Sequence, residues 1–116
     1  MNSISLVGRL TRDPELRERN GTEIAGMRLA VPRRPRGGEQ QPPVYVDLTA
    51  FGQLATICGK HLQKGRRVAV SGRLEYSEWT DDNHAKHSKH EVIADQVEFL
   101  DAPANGQTAT AEGESK

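Results

Sequence analysis

VYVDLTAFGQLATICGKHLQKG, residues 44–65, indicates the fold class, because its periodicity changes from that of a strand to that of a helix within a few residues. Residues 44–52 alternate as a half-buried strand does. The set that we expect in the core is Val44, Val46, Leu48 and Ala50. The opposite set, which places two aromatic rings on the side facing water, is Tyr45, Asp47, Thr49 and Phe51. Helical spacing then begins at residue 53, through Leu54, Ile57, Cys58 and Leu62, and Gly65 is a stop signal. The stretch predicts a strand followed directly by a helix.

Two further strands are predicted before this stretch. Residues 2–10 alternate and end after a glycine, and residues 24–31 alternate with an interruption at Gly26 that indicates a bulge. A polar connection with an Asn20-Gly21 turn signal joins them. Residues 32–43 contain four prolines and two glycines, and this composition predicts a loop.

Two more strands are predicted after it, over residues 67–79 and 91–100, with residues 81–90 as a turn or hairpin tip. The order is then three strands, a helix and two strands. We therefore expect an all-β domain with one helix, an OB-fold, in which the helix lies between strands 3 and 4 of a five-stranded Greek-key barrel. This domain is predicted for residues 1–101, and a short disordered C-terminal tail for residues 102–116.

The composition excludes several classes of protein. A chain of 116 residues is long enough for one core, and it has no apolar run of about 18 residues to span a bilayer. The N-terminus lacks the charged and apolar regions of a signal peptide, so we expect a cytoplasmic protein without a membrane contact. The single cysteine, Cys58, has no internal disulfide partner and no evident catalytic base, and is predicted to be a buried thiol.

The formal net charge of zero conceals an uneven distribution of charge. Residues 1–80 contain thirteen Lys and Arg against eight Asp and Glu, whereas the last 36 residues contain three against eight. The neutral total is therefore no argument against a polyanionic partner, because the basic groups can share one face.

Aromatic and basic side chains together indicate a surface for single-stranded nucleic acid. Aromatic rings on a sheet face stack on bases, and Lys and Arg neutralise phosphates. The candidates for stacking are Tyr45, Phe51 and Trp79. The candidates for phosphate contact are Arg9, Arg33, Arg34, Arg36, Lys60, Lys64, Arg73, Lys86 and Lys89. The pattern also allows rings that pack under loops or at a subunit contact, and basic groups that only serve solubility.

The chain resembles the bacterial single-stranded DNA-binding protein family over residues 1 to about 100. The pieces that carry the resemblance are NSISLVGRLTRDPELR (2–17), MRLAV (27–31), VDLTAFGQLA (46–55), HLQKGRRVAVSGRL (61–74), EWTDD (78–82) and EVIADQVEFL (91–100). The resemblance implies an OB-fold in a homotetramer with the first strand at a dimer contact. It also implies sequence-independent wrapping of single-stranded DNA, in the nucleoid, during replication, recombination and repair.

The resemblance assigns family stacking positions to Tyr45, Phe51 and Trp79, and it also shows departures. A further family aromatic falls at about Pro35 and is missing, and acidic residues stand where basic ones are frequent, just before Trp79. Weaker binding or a smaller footprint is the expectation. The acidic C-terminal tip that recruits replication and repair proteins in many members is absent, since the sequence ends GESK, so recruitment by that route is doubtful. A paralogue or a phage- or plasmid-encoded version would fit these departures.

Three histidines follow Trp79 with the spacing of a ligand set: His84, His87 and His90. In an extended segment residues three apart point to opposite faces, so His87 is predicted to face away from the other two. A metal site is therefore not expected. A milder hypothesis is that the histidines add positive charge below neutral pH and strengthen DNA binding, an effect that a triple alanine variant should abolish.

The sequence thus favours a non-enzymatic single-stranded DNA-binding protein that needs no cofactor and no metal. One rival interpretation is an OB-fold protein-interaction module, such as a primosomal accessory protein, with its aromatics buried in contacts. The other is a metal-dependent nuclease that uses the histidines, which no convincing pattern of paired carboxylates supports.

Overall fold

The structure, a computed structural model, describes residues 1–100 and 108–110. The described elements are seven strands and one helix: β1 (Ile4–Leu10), β2 (Glu15–Arg19), β3 (Thr22–Val31), β4 (Val44–Phe51), α1 (Gly52–His61), β5 (Arg67–Thr80), β6 (Lys86–Phe99) and β7 (Thr108–Thr110). The helix follows β4 without a loop, as the change of periodicity predicts, but it ends four residues before the predicted stop at Gly65.

Five of these strands close into a barrel. Their order is β1-β5-β6-β4-β3, and β1 returns to β3 through the pairs Arg9–Ala30 and Leu10–Leu29. Neighbouring strands are antiparallel except β4 and β6, which run parallel where Leu48 meets Val92. The helix lies between the third and fourth barrel strands, β4 and β5. The predicted OB-fold, a Greek-key barrel, is therefore confirmed.

The connection predicted before residue 24 is wrong in one respect, because it contains strand β2. This strand pairs with β3 from Glu15–Gly26 to Arg19–Thr22. Asn20 and Gly21 have φ values of 53° and 81°, and two consecutive positive values are typical of a type I′ hairpin turn. The predicted turn is therefore confirmed. The strand before it shows no alternation of apolar and polar residues, since four of its five residues are charged, and the sequence pattern does not predict it.

A bulge is found, but not at the predicted position. Gly26 pairs in regular register with Thr49 of β4, and the register shifts instead between Ser71 and Gly72 of β5. Gly72 is required there, because a Cβ atom at this position would collide with the carbonyl oxygen of Ile93. A bulge bends its strand, and this one lies just before the part of β5 that extends past the barrel.

Strands β5 and β6 continue beyond the barrel as a long hairpin arm. They stay paired from Leu74–Val92 to Thr80–Lys86, so the turn is shorter than the predicted residues 81–90. Asp81 closes it, since its Oδ1 accepts the amides of Asn83 and Ala85, each at 2.9 Å. The arm matters for function because it places Trp79 near its tip.

The core fills the barrel and the space under α1. Its largest fully buried side chains are Met27, Leu29, Leu48, Leu54, Cys58, Val68, Val92 and Val97. Burial raises the pKa of the Cys58 thiol to about 12, which agrees with the prediction of an inert buried cysteine. Val44 differs from its prediction: it lies at the start of β4 and is 46% exposed.

The short strand β7 pairs antiparallel with β6 over Gln96–Glu98. The other residues of the predicted disordered tail lie outside the described part of the chain, so that expectation stays a prediction. Within the described residues, the chain has no helix with the length and apolar character needed to cross a membrane.

Candidate nucleic-acid interface

One continuous sheet surface collects most of the side chains that the sequence singles out. Opposed residues in antiparallel strands point to the same side, so the register defines this surface. Its rows run from Arg17 through Ile24 to Phe51, and from Arg28 to Asp47. It continues onto β6, because Lys89 and Glu91 contact the side chains of β4, and onto β5, where His87 opposes Trp79. We call this side of β2, β3, β4, β6 and the hairpin arm the outer face.

All three predicted stacking residues lie on the outer face. Tyr45, Phe51 and Trp79 are 53%, 43% and 48% exposed, so each ring offers surface to a ligand. The guanidinium of Arg28 lies over the ring of Tyr45, with its Cζ atom 5.2 Å from the ring centroid. A guanidinium beside an aromatic ring supplies a charge for a phosphate next to a platform for a base.

A cleft of about 420 Å³ crosses the outer face between the β2–β3 hairpin and β6. Phe51, Thr49 and Lys89 contribute to its lining. Four arginines also line it, none of which the sequence analysis named: Arg12, Arg17, Arg19 and Arg28. The signal that could have found two of them is the Asn-Gly turn, because a hairpin pairs the preceding segment with β3 and turns Arg17 and Arg19 to the same side.

An ion-pair network lies at the middle of the outer face. Arg28 Nη1 is 3.2 Å from Asp47 Oδ1, and Lys89 Nζ is 3.9 Å from the other oxygen of Asp47. Lys89 also lies 4.0 Å from Glu91, whose carboxylate accepts a hydrogen bond from the Thr49 hydroxyl at 2.5 Å. The two carboxylates hold the cations in place and also reduce the positive potential of the cleft.

Two groups of predicted phosphate ligands are related to Tyr45, one across β3 in the sheet and one along the chain before β4. Arg9 of β1 opposes Ala30, which in turn opposes Tyr45, so Arg9 and Tyr45 belong to one row across three strands. Arg9 Nη1 donates to the carbonyl of Gly65 at 3.0 Å. The exposed loop that leads into β4 carries Arg33, Arg34 and Arg36. Arg36 and Glu39 exchange two backbone hydrogen bonds, which makes the loop's centre a tight turn.

The structure does not bring the remaining predicted cations to the outer face cleft. Lys60 lies in the last turn of α1, and the helix packs against the side of β2 opposite Arg17, where Leu16 lies beside Gly59. Lys64 belongs to the following loop, where its amide donates to Asp13. Arg73 points to the outer face but its Nε lies 2.9 Å from Glu75.

Lys86 is also separated from the cleft, by the alternation of the hairpin arm. It opposes Thr80, whereas Lys89 opposes Ser77 and His87 opposes Trp79. Lys86 therefore projects from the other side of the arm, which we call the back face and which also carries Tyr76, Glu78 and His90.

The histidines divide between these two faces. His87 stacks on Trp79, with ring centroids 5.5 Å apart and planes inclined by 20°. His90 contacts Tyr76 on the back face, at 4.8 Å and 48°. His84 lies in the turn, with φ 64°. The prediction that His87 and His90 point to opposite sides is confirmed. In the part of the chain that the structure describes, no three His, Cys, Asp or Glu side chains converge as metal ligands would.

The chain is similar to known proteins over most of its length. The model of the single-strand binding protein family matches residues 1–100. A protein of Wolinella succinogenes named single-stranded DNA-binding protein is 37% identical over 110 residues, which cover 91% of this chain and 68% of that protein. A protein of the same name from Caldanaerobacter subterraneus is 34% identical, and the match covers 100% of this chain and 79% of that protein.

A shorter relative matches over nearly its whole length. Single-stranded DNA-binding protein 1 of Synechocystis is 33% identical, over 95% of this chain and 92% of that protein. The chain spans 64% of the relatives from Helicobacter hepaticus and Helicobacter pylori. Together with the fold and the outer face, these matches confirm the resemblance: the chain belongs to the single-strand binding protein family.

Proposed function

We propose that this protein binds single-stranded DNA without sequence preference, along the outer face. The observation that carries the proposal is the placement of Tyr45, Phe51 and Trp79, each about half exposed, on one surface with the arginines of the cleft. Every base has an aromatic face, so stacking on these rings is tolerant of sequence, and it contributes about 1–3 kcal/mol per base.

The geometry suggests how a strand would run. Phe51 lies in the cleft at the end of β4 far from the arm, and Tyr45 with Arg28 lies at the start of β4. Trp79 lies near the tip of the arm, which extends past the start of β4 because β4 and β6 run parallel. Bases stack at these three points, and the phosphates between them meet the arginines of β2 and β3. Function is binding alone: no step requires a cofactor, a metal or a catalytic group.

We infer a homotetramer that protects single-stranded DNA in replication, recombination and repair, within the cytoplasm. The outward side of β1 supports a subunit contact, because Val7 opposes Ala69 and is 41% exposed in the single chain. Covering the Val7 side chain with a second subunit would remove apolar surface from water.

Tryptophan fluorescence tests this function directly, since Trp79 is the only tryptophan. On titration with oligo(dT) we expect strong quenching, with molecular mass measured in parallel as that of a tetramer. The slope of log K against log salt concentration should be about −0.7 for each phosphate neutralised. Fluorescence that oligo(dT) leaves unchanged would contradict the proposal and favour a protein-interaction module instead.

Labelled DNA incubated with divalent metal tests the absence of nuclease activity. We expect the DNA to remain intact at protein concentrations that saturate binding. Cleavage that is lost in a His84/His87/His90 triple alanine variant would overturn the non-enzymatic assignment.

A further inference from the structure

His87 occupies a position that the other two histidines of the triplet do not share. It opposes Trp79 directly across the hairpin arm, and the two rings lie nearly parallel at 5.5 Å between centroids. The Trp79 ring nevertheless remains about half exposed, and so does the imidazole, at 48% and 44%. The pair thus forms a two-ring surface, with one side of the indole covered by the imidazole and the remainder open.

Asp81 fixes the imidazole in this position. Its Oδ2 lies 2.7 Å from Nε2 of His87, while its Oδ1 accepts the amides of Asn83 and Ala85. The backbone amides of the turn therefore hold the carboxylate in place, and the carboxylate in turn fixes the position of the imidazole. The hydrogen bond that the carboxylate accepts from His87, followed by that from Ala85, lowers the pKa of Asp81 from its ordinary value of 3.8.

The charges around His87 determine what its protonation does. On the outer face it is flanked by Asp81 of the turn and by Lys89 two residues along β6. Farther along the same face lie the carboxylates of β4, β5 and β6, namely Asp47, Glu75 and Glu91, and the turn adds Asp82 and His84. With a neutral imidazole, Asp81 presents a negative charge beside the stacking ring. A protonated imidazole cancels that charge and offers a donor to a phosphate.

We propose that His87 is a further DNA-binding residue: Asp81 holds it against Trp79 as a second ring of the stacking platform, and in its protonated form it pairs with a phosphate of the bound strand. The inference rests on the proposed function. It also reduces the number of histidines expected to strengthen DNA binding from three to one. His90 contacts Tyr76 on the back face and His84 belongs to the turn, so neither shares the platform.

The free protein gives the first test. Imidazolium quenches a neighbouring indole, so Trp79 fluorescence should fall as the pH decreases from about 8 to about 5. We expect this titration to disappear in His87→Gln and to persist in the matched control His90→Gln. An identical titration in the native protein and in His87→Gln would overturn the platform.

DNA binding gives the second test, with oligo(dT) as the probe at about pH 8 and about pH 6. We expect affinity at the lower pH to be about threefold higher in the native protein and in His90→Gln, and unchanged with pH in His87→Gln. One added phosphate contact should also steepen the salt slope by about 0.7. His87→Arg, which keeps a planar cation, should bind at least as tightly at both pH values.

The outcomes separate the two claims. Absence of oligo(dT) binding at either pH would contradict the proposed function itself. Binding that responds to pH equally in the native protein and in His87→Gln would contradict only the assignment of His87. Circular dichroism of both glutamine variants controls for folding, and His87→Arg keeps the pH test valid if His87→Gln does not fold.

Discussion

The two faces of the hairpin arm carry nearly the same chemistry in different places. The outer face has Trp79 against His87, with Lys89 two residues along β6, and the back face has Tyr76 against His90, with Lys86 on the same face toward the tip. Each aromatic ring is about half exposed. Composition therefore does not distinguish the faces.

Position and contacts do distinguish them. The outer face runs without interruption into the cleft, through the contacts of Lys89 and Glu91 with β4. The back face turns away from the cleft, and the hydroxyl of Tyr76 donates to Glu78 at 2.7 Å, which places a carboxylate beside the ring. An aromatic ring with a nearby cation therefore becomes a binding element only where the surrounding surface can follow a polynucleotide.

The largest difference between the faces should come from the aromatic rings. Trp79→Ala removes a stacking contact worth about 1–3 kcal/mol, so we expect oligo(dT) affinity to fall about 5- to 150-fold. Tyr76→Ala should change affinity less than about twofold, because its ring lies on the back face. Fluorescence anisotropy of labelled oligo(dT) measures both, and an equal loss in the two variants would erase the distinction between the faces.

The two lysines should differ next. Lys89→Gln should weaken binding by up to about fivefold and reduce the salt slope by about 0.7, since it removes one cation from the path of the phosphates. Its counterpart Lys86→Gln should leave both quantities unchanged. Titrations at several salt concentrations measure the slopes. A larger reduction of the salt slope in Lys86→Gln than in Lys89→Gln would mean that the bound DNA follows the back face.

Replacing the carboxylates should change oligo(dT) affinity in the opposite direction. Asp47 lies between Arg28 and Lys89, and its replacement by Asn leaves both cations available to phosphates. We expect Asp47→Asn to strengthen oligo(dT) binding about threefold and Glu78→Gln on the back face to have no effect. Equilibrium titration at low salt is the sensitive condition, because screening weakens exposed charges. Weaker binding in Asp47→Asn would show that the carboxylate's ordering of the cations outweighs its repulsion.

The smallest effect should be a loosening of the tip of the arm at acidic pH. The folded-state pKa of Asp81 is lowered, so its contribution to stability is present above its ordinary value of 3.8 and is lost as the pH falls through the lowered value. Trp79 anisotropy should therefore decrease in that range, through loss of the contact with His87. Asp81→Asn should show the looser tip already at neutral pH, whereas Asp82→Asn should behave like the native protein. A native acid transition that persists in Asp81→Asn would exclude this cause.

The sequence predicts much of the barrel because its strands bury one side. Alternation places Leu48 and Ala50 in the core and turns Tyr45 and Phe51 outward, and the structure agrees for all four. Alternation fails for β2, where four of five residues are charged and only the Asn20-Gly21 turn marks the hairpin. It also misplaces the bulge, since Gly72 is needed for a close approach to the carbonyl of Ile93 that only the pairing of β5 with β6 creates.

The residues of the candidate site can be predicted from the sequence where a single strand positions them. They cannot be predicted where the pairing of strands in the closed barrel brings them together. The three stacking residues follow from alternation and the family resemblance. Arg17 and Arg28 reach the same cleft only because β2, β3 and β4 are neighbours, a relation that no local pattern contains. Charge alone makes Lys60 a candidate, and the packing of α1 against β2 places it away from the cleft.

Exchanging the two rings of the arm shows which face of the arm single-stranded DNA occupies. In the double variant Tyr76→Trp/Trp79→Tyr the only tryptophan reports from the back face, while the outer face keeps an aromatic ring. With oligo(dT) at saturation, we expect strong quenching in the native protein and little in the double variant, although the latter still binds in an anisotropy assay. Equal quenching from both positions would contradict the assignment of single-stranded DNA to the outer face.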